Sequence, residues 1–370
     1  IINPRYKKVF KKHFLINKEV IFHCDPVAKV KQIVEAGHNA LVDYNTKNNK
    51  AVQLGISPSG IYRNGSYSNY PSTPTYDANG NLTNPVYSAT SGFAHYDNYL
   101  YSDTLKWINE EWIDYILPQM YWATEHSGAS YVDIGRWWSW AVRNKDVNFY
   151  SGLGIYMALD SGTSAQYWNN NVDEIERQLL FIGQFEEFAG ACFYKYRSLT
   201  DTSNETVQEA KQYIKDKWGT KRVPGAIIKS YADEMIEVAP TNVLYNSATT
   251  SISFSPVDNV RGYMIYQVPK GKTLNKNNIE HVYEYTQSTS VQITNVEQYD
   301  YHVTSVNLAN ETSTAVAVQV NFTYQTVIDA INALPSNISY SDKSLVESAR
   351  ALYEALSTSD KQQVTNINKL

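Results

Sequence analysis

Three side chains with binding chemistry close one apolar run. Residues 112–122 read Trp-Ile-Asp-Tyr-Ile-Leu-Pro-Gln-Met-Tyr-Trp, so Gln119, Tyr121 and Trp122 stand at its end. A short continuous apolar run is the pattern of a strand buried in a parallel sheet, and the ligands of such sheets gather at the carboxyl ends of the strands. A carboxamide there donates and accepts hydrogen bonds, and aromatic rings offer faces for stacking. The end of this run therefore reads as a binding site. Aromatic usage points the same way: 30 Tyr and 8 Trp against 11 Phe favour amphipathic rings with a polar handle, which suit surfaces that stack on sugars.

The elements that must position this site share one grammar. Residues 51–63, 147–157 and 188–197 are further strand segments, each followed by a helical pattern. Ser102 precedes Leu105, Ile108 and Trp112 at spacings of three and four. Ser130 with Asp133 predicts a capping box ahead of Ile134, Trp137, Trp138 and Ala141. Asn171 with Glu174 opens a stripe of Ile175, Leu179 and Ile182, and Val207, Ala210, Ile214 and Trp218 form the last one. The later strand starts fall roughly 35 to 40 residues apart, as successive βαβ units require. The predicted class is α/β, a (β/α)8 TIM-barrel-type domain over residues 1–222.

A length of 370 residues predicts two or three domains, and 43% hydrophobic with 19% charged residues is a globular composition. The net charge of −5 and the lack of a dense cationic cluster beyond Lys7, Lys8, Lys11 and Lys12 argue against nucleic acid as a partner. No apolar run approaches the length of a membrane span. The chain begins Ile1-Ile2-Asn3-Pro4 with no Met and no signal pattern, so a segment upstream is expected. Cys24 and Cys192 sit in apolar runs and read as buried thiols. The seven histidines show no metal-ligand spacing, although His95 and His126 could enter the cleft, and no phosphate-binding glycine signature appears. Neither a metal nor a cofactor is predicted.

Past Trp218 the pattern changes. Residues 223–240 read as a linker with a short helix near Ala232 to Ile236. Residues 241–323 alternate with period two between closely spaced turns, the pattern of a β-sandwich, and resemble a fibronectin type III module with Tyr299 or Tyr301 as its corner tyrosine. Residues 324–370 turn helical, with Val327, Ile328, Ile331 and Leu334 in one stripe and Leu345, Ala349, Leu352 and Leu356 in another. That tail resembles small helical repeats of Gram-positive surface and secreted proteins, which implies an extracellular or cell-surface location.

The segments Leu54-Gly-Ile-Ser-Pro-Ser-Gly-Ile-Tyr-Arg-Asn64, Tyr101-Ser-Asp-Thr-Leu-Lys-Trp107 and 112–122, followed by Trp137-Trp138 and Gly154-Ile155-Tyr156, resemble in order and spacing the glycosyl-hydrolase-like 10 family. The resemblance implies a TIM-barrel glycoside hydrolase acting on bacterial cell-wall glycan, with peptidoglycan strands as substrate class. The family's early strand ending in paired aspartates has only a loose counterpart in His23-Cys24-Asp25-Pro26, after a predicted strand over 19–25. Few strands are legible before residue 51, so the barrel is expected to be incomplete in its N-terminal half. The missing half of the barrel, or another chain, is then an expected partner beside the glycan.

Glycoside hydrolysis needs two carboxyl groups flanking the scissile bond, one kept protonated as acid and one ionised as nucleophile or base. Asp25, Glu125 and Asp103 are the catalytic candidates by position, each with a plainer alternative: Asp25 and Asp103 as helix caps, Glu125 as a solvated loop residue. Gln119, Tyr121, Trp122 and Tyr156 are the candidates for holding sugar. Ser57 and Arg63 flank the Pro58 turn, where Arg63 could hold a carboxylate. The loop between Tyr62 and Tyr101 reads either as a subsite wall or as a flexible segment. A second reading of the whole chain is a non-catalytic carbohydrate-binding or adhesin fragment that kept its aromatics and lost a carboxyl partner.

Overall fold

The computed structural model describes residues 25–96, 100–160, 167–168, 171–219, 222–232, 237–246, 249–296, 298–319 and 323–370. The predicted early strand at 19–25 lies outside them save for Asp25, as does Cys24. The chain divides into two compact units, one of residues up to Lys47 with Gln53–Ser198, the other of Asn48–Val52 with Leu199–Leu370. Among the described residues no helix is long and apolar enough to cross a membrane.

The first unit holds helix α1 (Pro26–Asn48), strand β1 (Gly55–Ile56), a hairpin of β2 (Thr75–Tyr76) and β3 (Leu82–Asn84), helix α2 (Thr104–Asn109), strand β4 (Tyr115–Ile116), helix α3 (Tyr131–Val142), strand β5 (Asn148–Leu153), helix α4 (Glu174–Ile182) and strand β6 (Phe188–Phe193). Strands β1, β4, β5 and β6 form a parallel sheet in that order. Among the described residues this sheet is open, with β1 at one edge and β6 at the other.

The strand predicted over 51–63 is regular only at β1. Pro58 has no N–H to give the ladder, and beyond it the pairing continues as single bridges, Ser59 to Gln119, Ile61 to Ala94 and Asn64 to Ser88. Residues 154–157 and 196–197 were also expected to extend strands. The chain instead turns at Gly154 into a 3-10 helix, Ile155–Leu159, and after β6 into a short helix, Tyr196–Leu199.

Helix α3 covers one face of the sheet. Ser130 caps it, its hydroxyl accepting from the Val132 N–H at 3.1 Å, but the predicted capping box does not form. The carboxylate of Asp133 instead accepts a hydrogen bond from the Tyr67 hydroxyl and pairs with Arg136 at 3.6 Å. The indoles of Trp137 and Trp138 are fully buried, and their N–H groups donate to the carbonyls of Pro85 and Gly60 at 3.0 and 2.7 Å. Helix α4 starts after Asp173 rather than at Asn171, whose carbonyl only accepts from the Glu174 N–H.

Loop 62–101 packs onto this layer. Tyr62 stacks on Trp137, Tyr70 stacks on Trp140, and the Tyr76 hydroxyl donates to the Trp140 carbonyl. Tyr62, Tyr70 and Tyr76 thus pack beside α3.

In the second unit, strands β7 (Leu244–Asn246), β8 (Ser251–Ser253) and β11 (Ser290–Gln292) make one antiparallel sheet in the order β11-β8-β7. Strands β9 (Val260–Pro269), β10 (Val282–Thr286), β12 (Tyr299–Asn307) and β13 (Val316–Ala317) make another in the order β10-β9-β12-β13. Val243, Ile252, Phe254, Ile265, Val291 and Val303 pack between the two sheets. The Tyr301 hydroxyl donates to the Thr294 carbonyl, so Tyr301 rather than Tyr299 ties strand to corner. The segment read as a linker is packed: Ile228 and Tyr231 are buried with Ala51 and Ala309, Lys229–Ala232 is helical, and the rest of the helix expected near Ala232 to Ile236 lies outside the described residues. Residues 324–370 form a small helical cluster around Val327, Ile331, Ala349 and Leu356.

The close approach of β4 and β5 requires glycine at 152, where an added Cβ would stand 2.6 Å from the Pro118 carbonyl oxygen. Gly152→Ala is expected to destabilise the first unit by about 2 kcal/mol through overpacking, read as a lower urea midpoint with an unchanged slope. An unchanged midpoint would mean that the two strands part without cost.

Candidate functional site

Along β4 and its continuation the side chains alternate. Ile116, Met120 and Phe149 of β5 are fully buried on the helix side. Tyr115, Leu117, Gln119 and Tyr121 take the other face, where they line a cavity of about 670 Å3 together with Gly55, Ile56, Ser57, Tyr156, Cys192 and Tyr194. Its polar groups lie where the strands end, the place that parallel sheets use for ligands.

The ring geometry is specific. Tyr121 and Tyr194 stack with centroids 5.6 Å apart, and Tyr156 stands edge-on to both at 5.6 Å. Tyr115 meets Tyr150 of the next strand edge-on at 5.7 Å. Gly55 makes room for this row, since a Cβ there would fall 1.9 Å from the Tyr115 ring. The Gln119 carboxamide donates to the Ser57 carbonyl at 3.2 Å, which aims it along the cavity floor. Burial pushes the Tyr121 phenol up to about 12 and raises Tyr156 as well, so both stay neutral hydrogen-bonding hydroxyls at pH 7.

The cavity thus brings together Ser57, Gln119, Tyr121 and Tyr156 of the predicted binding set. Trp122 is turned away: its six-membered ring lies against Gly60 and Gly92. Arg63 is not among the cavity-lining residues, its guanidinium lying 3.6 Å from the centroid of Tyr96 and 5.6 Å from that of Tyr62 as a cation–π stack. Tyr115, Leu117 and Tyr194 were not foreseen, though the period-two spacing of 115, 117, 119 and 121 carried the signal for the first two. Cys192, expected to be buried, is exposed. Its side chain opens onto the cavity.

None of the three predicted catalytic carboxylates lines the cavity. Asp25 accepts from the Val27 N–H at 3.0 Å at the start of α1. Asp103 caps α2 through the Lys106 N–H at 3.2 Å and accepts from the Tyr62 hydroxyl at 2.8 Å. Glu125 is exposed in the loop after β4 and pairs with Arg177 at 2.7 Å, a hydrogen bond that holds its carboxyl below the usual range. A buried carboxylate went unforeseen: Glu174 accepts from the Thr124 N–H at 2.7 Å and hydroxyl at 2.8 Å, and burial raises its pKa against these bonds. Asp114, at the amino end of β4, accepts from the Leu54 N–H at 2.5 Å and serves the sheet.

Neither cleft histidine reaches the cavity. His126 accepts at Nδ1 from the Ala129 N–H at 3.1 Å and folds its own loop. His95 is fully buried: Nδ1 donates to the Ser59 carbonyl at 3.1 Å, which leaves Nε2 to accept from the Thr104 hydroxyl at 2.8 Å. Burial drives the His95 imidazole down to about 4, so the folded protein binds its proton far less readily than the unfolded chain. The stability due to neutral His95 is complete above the ordinary histidine value and is lost as pH falls toward 4, about 3 kcal/mol across that window. Urea midpoints of wild type and His95→Gln, compared at pH 7 and pH 4, should diverge by that amount; parallel pH profiles would refute it.

A model of the glycosyl hydrolase-like 10 family matches residues 5–169. The cavity residues of β1, β4 and the turn after β5 fall inside that stretch, whereas Cys192 and Tyr194 fall outside it. The chain is 29% identical over 184 residues to "Glycosyl hydrolase DigH" of Escherichia coli (strain K12), covering 49% of this chain and 37% of that protein. It is 33% identical over 155 residues to "Glycosyl hydrolase YngK" of Bacillus subtilis (strain 168), covering 40% of this chain and 25% of that protein. Over this stretch the chain is similar to glycosyl hydrolase-like proteins, and the match spans between a quarter and two-fifths of these relatives' length.

Proposed function

We propose that this chain is the glycan-holding part of a glycoside hydrolase that cleaves a bacterial cell-wall polysaccharide by carboxylate acid/base chemistry. One observation carries the reading: Ser57, Gln119, Tyr121, Tyr156 and Tyr194 converge at the carboxyl ends of a parallel sheet. Aromatic faces stack on pyranose rings, and the carboxamide and phenol groups bond to sugar hydroxyls. The parallel sheet is read as later strands of a TIM barrel whose open edges, β1 and β6, take the remaining strands from the rest of the barrel or another chain.

Of the three carboxylates, Glu125 fits the ionised role, nucleophile or base, because Arg177 stabilises its charge. Asp25 and Asp103 are engaged as helix caps. The sheet orders β11-β8-β7 and β10-β9-β12-β13, with the Tyr301 corner, support a fibronectin type III-like spacer, and spacer and helical tail together fit an exported, cell-surface setting.

A second reading, a non-catalytic carbohydrate-binding or adhesin fragment, is favoured by the fact that no Asp or Glu stands among the residues lining the cavity. Purified glycan strands incubated with the protein separate the two. New reducing ends that vanish in Glu125→Gln support the hydrolase, retention of strands without cleavage supports the binder, and neither outcome removes both. Gln119→Ala with Tyr156→Ala is expected to weaken strand retention about tenfold at unchanged Tm, from one lost stack and one lost hydrogen bond. Equal retention would take the cavity out of the function.

A further inference from the structure

We propose that Glu174 is a positioning residue for the cavity, acting through the backbone of residues 122–125. The inference rests on the glycan reading above and deepens it by naming what keeps the stacking rings in place. Helix α4 presents Glu174, Arg177 and Gln178 on one face, at the i, i+3 and i+4 spacing that makes neighbours. All three grip the loop that follows β4. Glu174, with 0% of its surface exposed, accepts from the Thr124 N–H, the Thr124 hydroxyl and the Gln178 amide at 2.7, 2.8 and 2.7 Å. Gln178 in turn donates to the Trp122 carbonyl at 3.2 Å, and Arg177 pairs with Glu125 at 2.7 Å.

The gripped segment starts one residue after Tyr121. On its other side Tyr121 is boxed in: a Cβ on Gly154 would stand 2.8 Å from the Tyr121 Cβ, and its ring stacks on Tyr194. Tyr121 is therefore held between the β5 turn and a loop whose path is set by α4. A carboxylate is costly to bury unless its lone pairs are satisfied. Here its closest bonds run to the loop itself, or to the glutamine that also bonds the loop. The burial of this charge is explained by what it holds, because an apolar side chain in its place would leave the Thr124 N–H without an acceptor.

The test uses two readouts on the full chain: retention of purified glycan strands, and the rate at which iodoacetamide modifies Cys192, which shares the cavity with Tyr121. Glu174→Ala, checked for a cooperative melt and assayed well below it, is expected to weaken retention about tenfold or more and to shift the Cys192 rate several-fold. Glu174→Gln, which keeps the shape and one acceptor oxygen, is expected to recover part of both. If Glu174→Ala does not fold, Thr124→Val removes the hydroxyl half of the grip and is measured the same way. A folded variant that retains glycan and exposes Cys192 as wild type does would overturn the proposal. If wild type itself retains no glycan, the glycan reading fails, and the Cys192 rate alone decides whether Glu174 positions the ring.

Discussion

The first unit depends on β4 being hydrogen-bonded on both sides. On one side the Asp114, Leu117 and Gln119 N–H groups donate to the carbonyls of Leu54, Ile56 and Pro58; on the other, those of Asn148 and Gly152 donate to Asp114 and Pro118. This double pairing fixes the pleat, so Ile116 and Met120 face the helices and Tyr115, Leu117, Gln119 and Tyr121 face the cavity. A slip of one residue would exchange the two sets and bury a carboxamide and two phenols against indoles. Register here is a functional constraint as much as a structural one.

The neighbours of β4 are shaped to accept it. Gly55 leaves space for the Tyr115 ring and Gly152 lets the β5 backbone come close to Pro118. On the helix side the indoles of Trp137 and Trp138 spend their N–H groups on carbonyls, so these two large rings are buried with their donors paired. Support for the cavity thus comes from three directions: small residues beside the strand, a rigid aromatic layer beneath it, and the grip of α4 on the loop beyond it.

Much of this was legible in the residues. An apolar run ending in Gln119 and Tyr121 names both the strand and the place where a ligand meets it, and the Ser130 cap and the Trp pair announce the helix behind. What could not be read was long-range pairing. Nothing near Arg63 in sequence says that Tyr96 lies under its guanidinium, and nothing near Glu125 says that Arg177 holds it. The same holds for Cys192, whose apolar surroundings suggest burial while its side chain opens onto the cavity. In the Tyr-rich loop, Tyr62 and Tyr70 stack on Trp137 and Trp140, partners far along the chain that a count of tyrosines cannot name.

The lining of the cavity is made of serine, glutamine, tyrosine, cysteine, glycine, leucine and isoleucine side chains, none bearing a fixed charge. Attraction among these lining groups is carried by stacking and neutral hydrogen bonds. A ligand held this way loses less of its grip in concentrated electrolyte than one clamped by ions.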